Sequence, residues 1–392
     1  MNRNKRRPPE KNRHMPVAVR CFLWGRSAGR CEFSGCNRLL CQHPETKQMV
    51  NLAEVAHIVG FSKDGPRGEA ELSAELVKDP ANLMLLCGLC HDTIDDRKDD
   101  YPVARLTTMK RAHERRIETV TSISEDRKRH IVLYGANVGE QSSPLSYLAA
   151  ASAMFPEAYP AETTPIDLEM KNSAFRDRDA TFWEIERLNL VRLVDQRLRP
   201  RLAAKEIAQL AVFAIAPQPL LMLLGCLLSD ITDAVVHQLH REPRDWRWRR
   251  RREVKPFKVA APTTVTGGHV ALVLAVSATV TDQRVVDVLG AGVAIWRLDA
   301  EAPDKDFLRS RDQLEVFRRL VRETLDRIKA RHGEQATLHV FPALPVAAAV
   351  EFGRVISPKA DIHMVIHDQN TAAGGFVRAI ELNTTRTAAR LA

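Results

Sequence analysis

Four of the seven cysteines fall in two close pairs, Cys31-x4-Cys36 and Cys87-x2-Cys90, far apart in the chain. Pairs spaced like this supply four thiolates to one tetrahedral ion, and zinc is the ion that four-coordinate thiolate sites favour. Closing such a site draws two distant segments together, so residues 17–130 are expected to fold as one small zinc-braced domain. In small metal domains bound zinc contributes about 10–16 kcal/mol, enough to offset a core too small to fold alone. Cys21, Cys41 and Cys226 read as ordinary thiols, and the overall pattern is not that of a disulfide framework.

Between the pairs lies Glu54-Val55-Ala56-His57-Ile58-Val59, and Asn82 stands just before the second pair. His91 and Asp95 follow that pair, four residues apart and hence on one helix face. The order Cys…Cys, Ala-His-Ile, Asn-Leu, Cys-x-x-Cys-His resembles the HNH endonuclease family. That resemblance implies a β-hairpin followed by a helix around one divalent cation. It implies His57 as general base, Asn82 as the residue that orients the hairpin or His57, and His91 with Asp95 as ligands for Mg²⁺ or a similar ion. The chemistry suits these types: phosphodiester hydrolysis needs a base for water and a cation for the charge on phosphate. One residue departs from the pattern. Many family members carry an acidic or histidine ligand immediately before the base, where this chain has Ala56; Glu54 or Asp95 is the expected substitute. Lys110, Arg111, Arg115 and Arg116 read either as phosphate contacts or as a solvated helix face.

The second half has a different texture. Phe182, Ile185, Leu188, Val191, Val194 and Leu198 recur at helical spacing, and a second amphipathic helix is expected from about 312 to 331, opened by Ser310 and closed at Gly333. Apolar runs near 210–216, 270–278, 337–341 and 362–367 read as buried strands, which gives a multidomain α/β chain. An ungapped internal repeat links Val212/Val340, Phe213/Phe341, Pro217/Pro345, Gly225/Gly353, Ser229/Ser357 and Asp233/Asp361. Residues 210–221, 237–243, 341–346, 351–355 and 367–370 carry a resemblance to the SAVED domain, a sensor of cyclic oligonucleotides in bacterial anti-phage signalling built from two fused Rossmann-like halves. The resemblance implies that residues 172–392 form this sensor. Each repeat places a turn at a strand's carboxyl end, where helix N-termini favour phosphate. The ligand-facing expectation is Gln218, Trp248, Ser277, Thr279, Trp296, Phe341, Pro342 and Asp368.

A net charge of +9 favours polyanionic partners. The longest apolar run, residues 220–228, is too short to span a bilayer, and no apolar segment follows the basic N-terminus, so a cytoplasmic protein without a membrane contact is expected. Residues 1–16 read as a basic tail and the Pro- and Ser-containing stretch 131–171 as a linker. The combined expectation is an endonuclease acting on double-stranded DNA, switched on by a cyclic oligonucleotide, and assembling from dimer to tetramer. The competing expectation is a restriction-type nuclease whose second half recognises modified DNA. A zinc-braced nucleic-acid binder without catalysis is a third.

Overall fold

The computed structural model describes residues 15–139, 145–170, 175–179, 181–229, 232–249, 256–263, 268–370 and 373–383. Most of the expected basic tail lies outside those residues. The chain divides into two units, Met1–Ser124 and Glu125–Ala392.

In the first unit α1 (Val17–Ser27) ends where Ala28 and then Gly29 turn into the left-handed region, at φ 51° and 64°. Strand β1 (Ala53–His57) is followed by the short α2 (Leu72–Glu75), and β2 (Leu83–Cys87) then pairs antiparallel with β1, setting His57 opposite Leu83 and Ala53 opposite Cys87. All five β2 residues are buried. Helix α3 (Gly88–Asp96) starts directly from the strand, and α4 (Val103–Thr121) buries Leu106 and Met109 in the same core. A lone hairpin is marginal in water; here Leu23, Leu40, Ile58 and Ile94 close over it together with Cys31, Cys87 and Cys90.

The second unit begins earlier than the sequence pattern indicates. Residues 131–171, read as a linker, contain most of β3 (Lys128–Gly135), then α5 (Tyr147–Met154), β4 (Tyr159–Pro160) and β5 (Ile166–Asp167). β3 is an interior strand whose Ile131, Val132, Leu133 and Tyr134 are all buried. The Pro- and Ser-rich residues that follow it masked this short apolar run in the sequence. Next come α6 (Phe182–Arg197), α7 (Arg199–Ala203), β6 (Leu210–Ile215), α8 (Gln218–Leu228) and β7 (Ala234–Val236). The first sheet, in the order β4-β3-β6-β7 with β5 beside β3, is parallel throughout. A small ribbon, β8 (His240–Arg241) with β9 (Arg244–Asp245), leads to β10 (Phe257–Ala260), β11 (Val270–Ala275), α9 (Asp282–Leu289) and β12 (Ala294–Ala300). The chain ends with α10 (Arg311–His332), β13 (Thr337–Ala343), α11 (Val346–Val355), β14 (His363–Asn370) and β15 (Gly375–Leu382). The second sheet runs β10-β12-β11-β13-β14-β15, parallel in its centre and antiparallel at both edges.

The expected helix at 312–331 is α10. Ser310 Oγ accepts from the Gln313 backbone N at 3.3 Å, and Gln313 Oε1 accepts in return from Arg309 N at 3.1 Å. Gly333 follows at φ 86°.

The internal repeat is a structural one. β6–α8–β7 and β13–α11–β14 are the same unit in the same register of the repeat. Both helices lie in the one core that the two sheets share. They cross at Gly225 and Gly353, the repeat-matched glycines. A Cβ on Gly225 would sit 2.0 Å from the Val350 carbonyl oxygen, and one on Gly353 would sit 1.9 Å from that of Met222. Met222 and Val350 are themselves repeat-matched, so a local two-fold passes through this contact. Only glycine allows the backbones to approach this closely.

Candidate active site

The four cysteine sulfurs of the first unit lie within 4.8 Å of one another, with Cys36 Sγ 3.9 Å from Cys87 Sγ. Tetrahedral zinc with bonds of about 2.3 Å sets its sulfurs about 3.8 Å apart, so the cluster fits that ion. Burial pushes the Cys31 thiol up to about 12 and raises Cys90 as well. Such thiols ionise together only when a cation takes the charge. Zinc at this point would tie the loop after α1 to the junction of β2 and α3.

That junction aims the chemistry. His91, on α3, donates from Nδ1 to Glu54 Oε2 at 2.6 Å, and its Nε2 lies 3.6 Å from Asp95 Oδ2. A carboxylate accepting from one ring nitrogen fixes the tautomer and leaves the other nitrogen as a lone-pair donor, the usual support of a metal-binding histidine. Ligands about 2.1 Å from a shared ion lie about 3.0–3.4 Å apart, so His91 Nε2 and Asp95 Oδ2 fit one divalent cation after a small closure. Ala56 is 1% exposed and packs in the core, and its methyl group offers no ligand atom. Glu54 shares its strand face and does the acidic work there by orienting His91. Gly88 opens α3 under this carboxylate: a Cβ would meet Glu54 Oε1 at 3.2 Å. The helix N-terminus favours the charge.

His57 ends β1. Its Nε2 donates to the Val77 carbonyl at 3.0 Å, which assigns the ring lone pair to Nδ1. Asn82 is buried and braces the surrounding backbone. Its Oδ1 accepts from Val59 N at 2.7 Å, while Nδ2 donates to Val59 O at 3.0 Å and Leu76 O at 3.2 Å. It thereby holds both the exit of β1 and the segment that offers the Val77 carbonyl. His57, Glu54, His91 and Asp95 all line one cleft of about 960 Å³, with Arg20 and Trp24 of α1 also on its wall. Arg67, unmarked by any motif spacing, lines it too. Of the basic residues of α4, Lys110 is buried against Glu114 at 2.5 Å and Arg116 donates to Asn37 Oδ1 at 2.6 Å. Those two serve the fold, whereas Arg111 and Arg115 are exposed.

In the second unit the expected ligand residues separate into two groups. Trp296 is 2% exposed; its Nε1 donates to His332 Nε2 at 3.0 Å and Arg327 lies over its ring. Phe341 is fully buried and stacks on His367 with centroids 4.4 Å apart, and Pro342 is buried within β13. These three are core residues, a correction to the sequence expectation: alternation on a buried strand hides large aromatics whatever their chemistry. Gln218 joins the halves, its Oε1 accepting from Leu344 N at 2.8 Å. Gln238 Oε1 accepts from Ala347 N at 3.0 Å, so backbone donors before and within the first turn of α11 are met by the other half. Ser277 and Thr279 follow β11 at its carboxyl end, half-buried and exposed. Trp248 is half-buried with its indole edge-on to His240. Asp368, near the end of β14, is pushed up to about 7 by burial and by Asp177.

The first unit is a hairpin and helix clasped by a four-cysteine cluster that fits zinc, and the second is a doubled α/β unit. The family model described as HNH endonuclease matches residues 31–98, and that of the SMODS-associated and fused to various effectors sensor domain (SAVED) matches residues 190–382. The chain carries an HNH endonuclease domain followed by a SAVED domain. Among solved structures, the Acinetobacter baumannii Cap4 SAVED/CARF-domain containing receptor with the cyclic trinucleotide 2'3'3'-cAAA is similar at 12% identity and a TM-score of 0.44, over 81% of this chain and 67% of that one. The corresponding receptor of Moraxella osloensis is similar at 11% identity and a TM-score of 0.40, over 74% of this chain and 60% of that one. No curated protein matches the chain. Among the described residues no helix is long and apolar enough to cross a membrane.

Proposed function

We propose that this protein is a Mg²⁺-dependent endonuclease that degrades double-stranded DNA with little sequence specificity once its SAVED domain binds a cyclic oligonucleotide, a cyclic dinucleotide foremost, in an anti-phage response that sacrifices the cell. The observation that carries the reading is the convergence of His57 with the Glu54–His91–Asp95 chain in one cleft, on a hairpin and helix braced by four cysteines. His57 Nδ1 takes the proton of the attacking water while the Val77 carbonyl holds the ring. His91 and Asp95 would hold a divalent cation, which would supply Lewis acidity toward the phosphate and the leaving oxygen. Asn82 keeps the base in register with that pair.

An ungated enzyme of this kind would attack the DNA of its own cell, so the sensor sets activity. Ligand binding favours a higher assembly, dimer to tetramer, in which HNH domains meet on DNA. Shifting such an equilibrium from 1:99 to 99:1 takes about 5.5 kcal/mol of differential affinity. The test is plasmid cleavage in Mg²⁺ with a panel of cyclic di- and trinucleotides, with sedimentation run in parallel. Cleavage is expected with one class of ligand only, accompanied by a larger species. In His57→Ala that cleavage falls by about 10²–10⁴-fold, with zinc retained. Ligand-independent cleavage confined to modified DNA would replace the sensor reading with a restriction-type one.

A further inference from the structure

Arg67 is delivered to the back of the nuclease cleft by a loop built for that purpose. Residues 60–68 fold back on themselves: Gly60 N donates to Arg67 O at 3.0 Å, and Gly68 N to Gly65 O at 3.0 Å. A Cβ on Gly60 would lie 2.3 Å from the Pro66 carbonyl oxygen, and one on Gly68 would lie 2.1 Å from that of Ser62. Arg67 itself adopts φ 57°, a conformation that side chains other than glycine take at a cost. Its side chain is 5% exposed.

All three guanidinium nitrogens are used. Nε donates to Ile58 O at 3.0 Å, Nη1 to Ile94 O at 2.6 Å, and Nη2 to Asp95 Oδ1 at 2.8 Å, with His57 O at 3.4 Å. Two of these acceptors belong to the end of β1 and the residue after it, which carry the base. The other two belong to the last turn of α3, which carries Asp95, with His91 one turn earlier on the same helix.

We infer that Arg67 is a positioning residue for the cation site: it locks the last turn of α3 to the end of β1 and turns the Asp95 carboxylate so that its second oxygen faces His91. The inference rests on His91 and Asp95 forming that site. The planar fork is what lets one side chain meet acceptors on two elements at once, and an ammonium group has no such geometry.

The test measures Mn²⁺ affinity of the full-length, zinc-loaded protein by the electron paramagnetic resonance signal of free Mn²⁺, a readout that needs no activator and no turnover. Wild type, His91→Ala, Arg67→Lys, Asp95→Asn and the Arg67→Lys/Asp95→Asn double variant are compared. Arg67→Lys is expected to weaken Mn²⁺ by about 10–100-fold, the range for partners that orient a metal ligand. The double variant should bind no more weakly than Asp95→Asn alone, because Arg67 acts through Asp95. Arg67→Met, which needs no buried charge partner, replaces Arg67→Lys if that variant does not fold. Unchanged affinity in a folded, zinc-replete Arg67 variant overturns the inference, as do additive losses in the double variant. If wild type binds Mn²⁺ no better than His91→Ala does, the reading of the cation site falls and the inference with it.

Discussion

Among the described residues the hydrophobic core cluster of the nuclease unit numbers fifteen, three of them the cysteines Cys31, Cys87 and Cys90, whereas the largest such cluster of the sensor unit numbers fifty-four and holds one, Cys226. In the first unit a four-cysteine cluster that fits zinc sits at the start of α3, the helix that carries His91. The second spreads its core over two sheets and the helices they share, two of which meet in a close backbone contact at Gly225 and Gly353. Units built so differently should fail independently.

The largest expected effect tests the first half of that contrast. In Cys87→Ser the zinc site loses a ligand, and with it most of the roughly 10–16 kcal/mol that such a site contributes. Zinc content should drop to background, and residues 15–124 should become sensitive to limited proteolysis. The fragment beginning near Glu125 should stay protected. A zinc-free protein with an intact first unit would show that its core suffices, and the comparison would break.

How far this architecture is legible in the sequence follows the same line. Cysteine pairs, His57, Asn82 and His91 stand out because metal and base chemistry admit few residue types at fixed spacing. Glu54 stands out as a candidate acid but not as the partner of His91, which it meets across the hairpin-to-helix junction, and Arg67 does not stand out because it meets Asp95 from a folded loop. The signal for Arg67 was the glycine on either side of it and the Pro66 before it, which mark a tight loop but not what the loop presents. In the sensor the repeat was legible, and it correctly paired Gly225 with Gly353. The ligand residues were not, because a pocket is defined by what converges in space. Trp296 and Phe341 look like stacking surfaces in the sequence and are core in the fold. β3 was missed because a short buried strand beside a proline-rich stretch has no periodicity of its own.

A smaller effect sharpens the second half of the contrast. Gly353→Ala would place a methyl 1.9 Å from the Met222 carbonyl oxygen, and Gly225→Ala one 2.0 Å from that of Val350. Backbone must move in either case, so each should destabilise the second unit by about 1–3 kcal/mol or somewhat more. The double variant should lose less than the two losses combined, because the first methyl already separates the helices. Gly268→Ala, with open space around the new atom, serves as the control. Additive losses in denaturant unfolding, with zinc content unchanged, would mean that the two glycines do not share one contact.

The smallest effect is a pH dependence confined to the sensor unit's buried histidines. The repeat-matched Phe213 and Phe341 each stack on an imidazole, His237 at 4.3 Å and His367 at 4.4 Å between centroids. Burial pushes both histidines down to about 4, and for His367 the neighbouring His339 adds to the push. Both are therefore neutral in the fold, while in the unfolded chain they take up protons near pH 6.5. The sign follows from linkage: stability is full above pH 6.5, falls as pH drops toward 4, and levels off below it. Asp368 works in the opposite sense, since its protonated form is favoured in the fold and stability is lost as pH rises from about 4 to about 7. Asp368→Asn should remove that opposing slope and steepen the loss on the acid side, and His237→Phe should flatten it. Four of the five tryptophans, Trp183, Trp246, Trp248 and Trp296, lie in the second unit, so denaturation of the full chain followed by tryptophan fluorescence reports mainly on it. A wild-type midpoint that stays constant from pH 7 to pH 4.5 while Asp368→Asn also stays flat would mean that the two stacked imidazoles are charged in the folded protein.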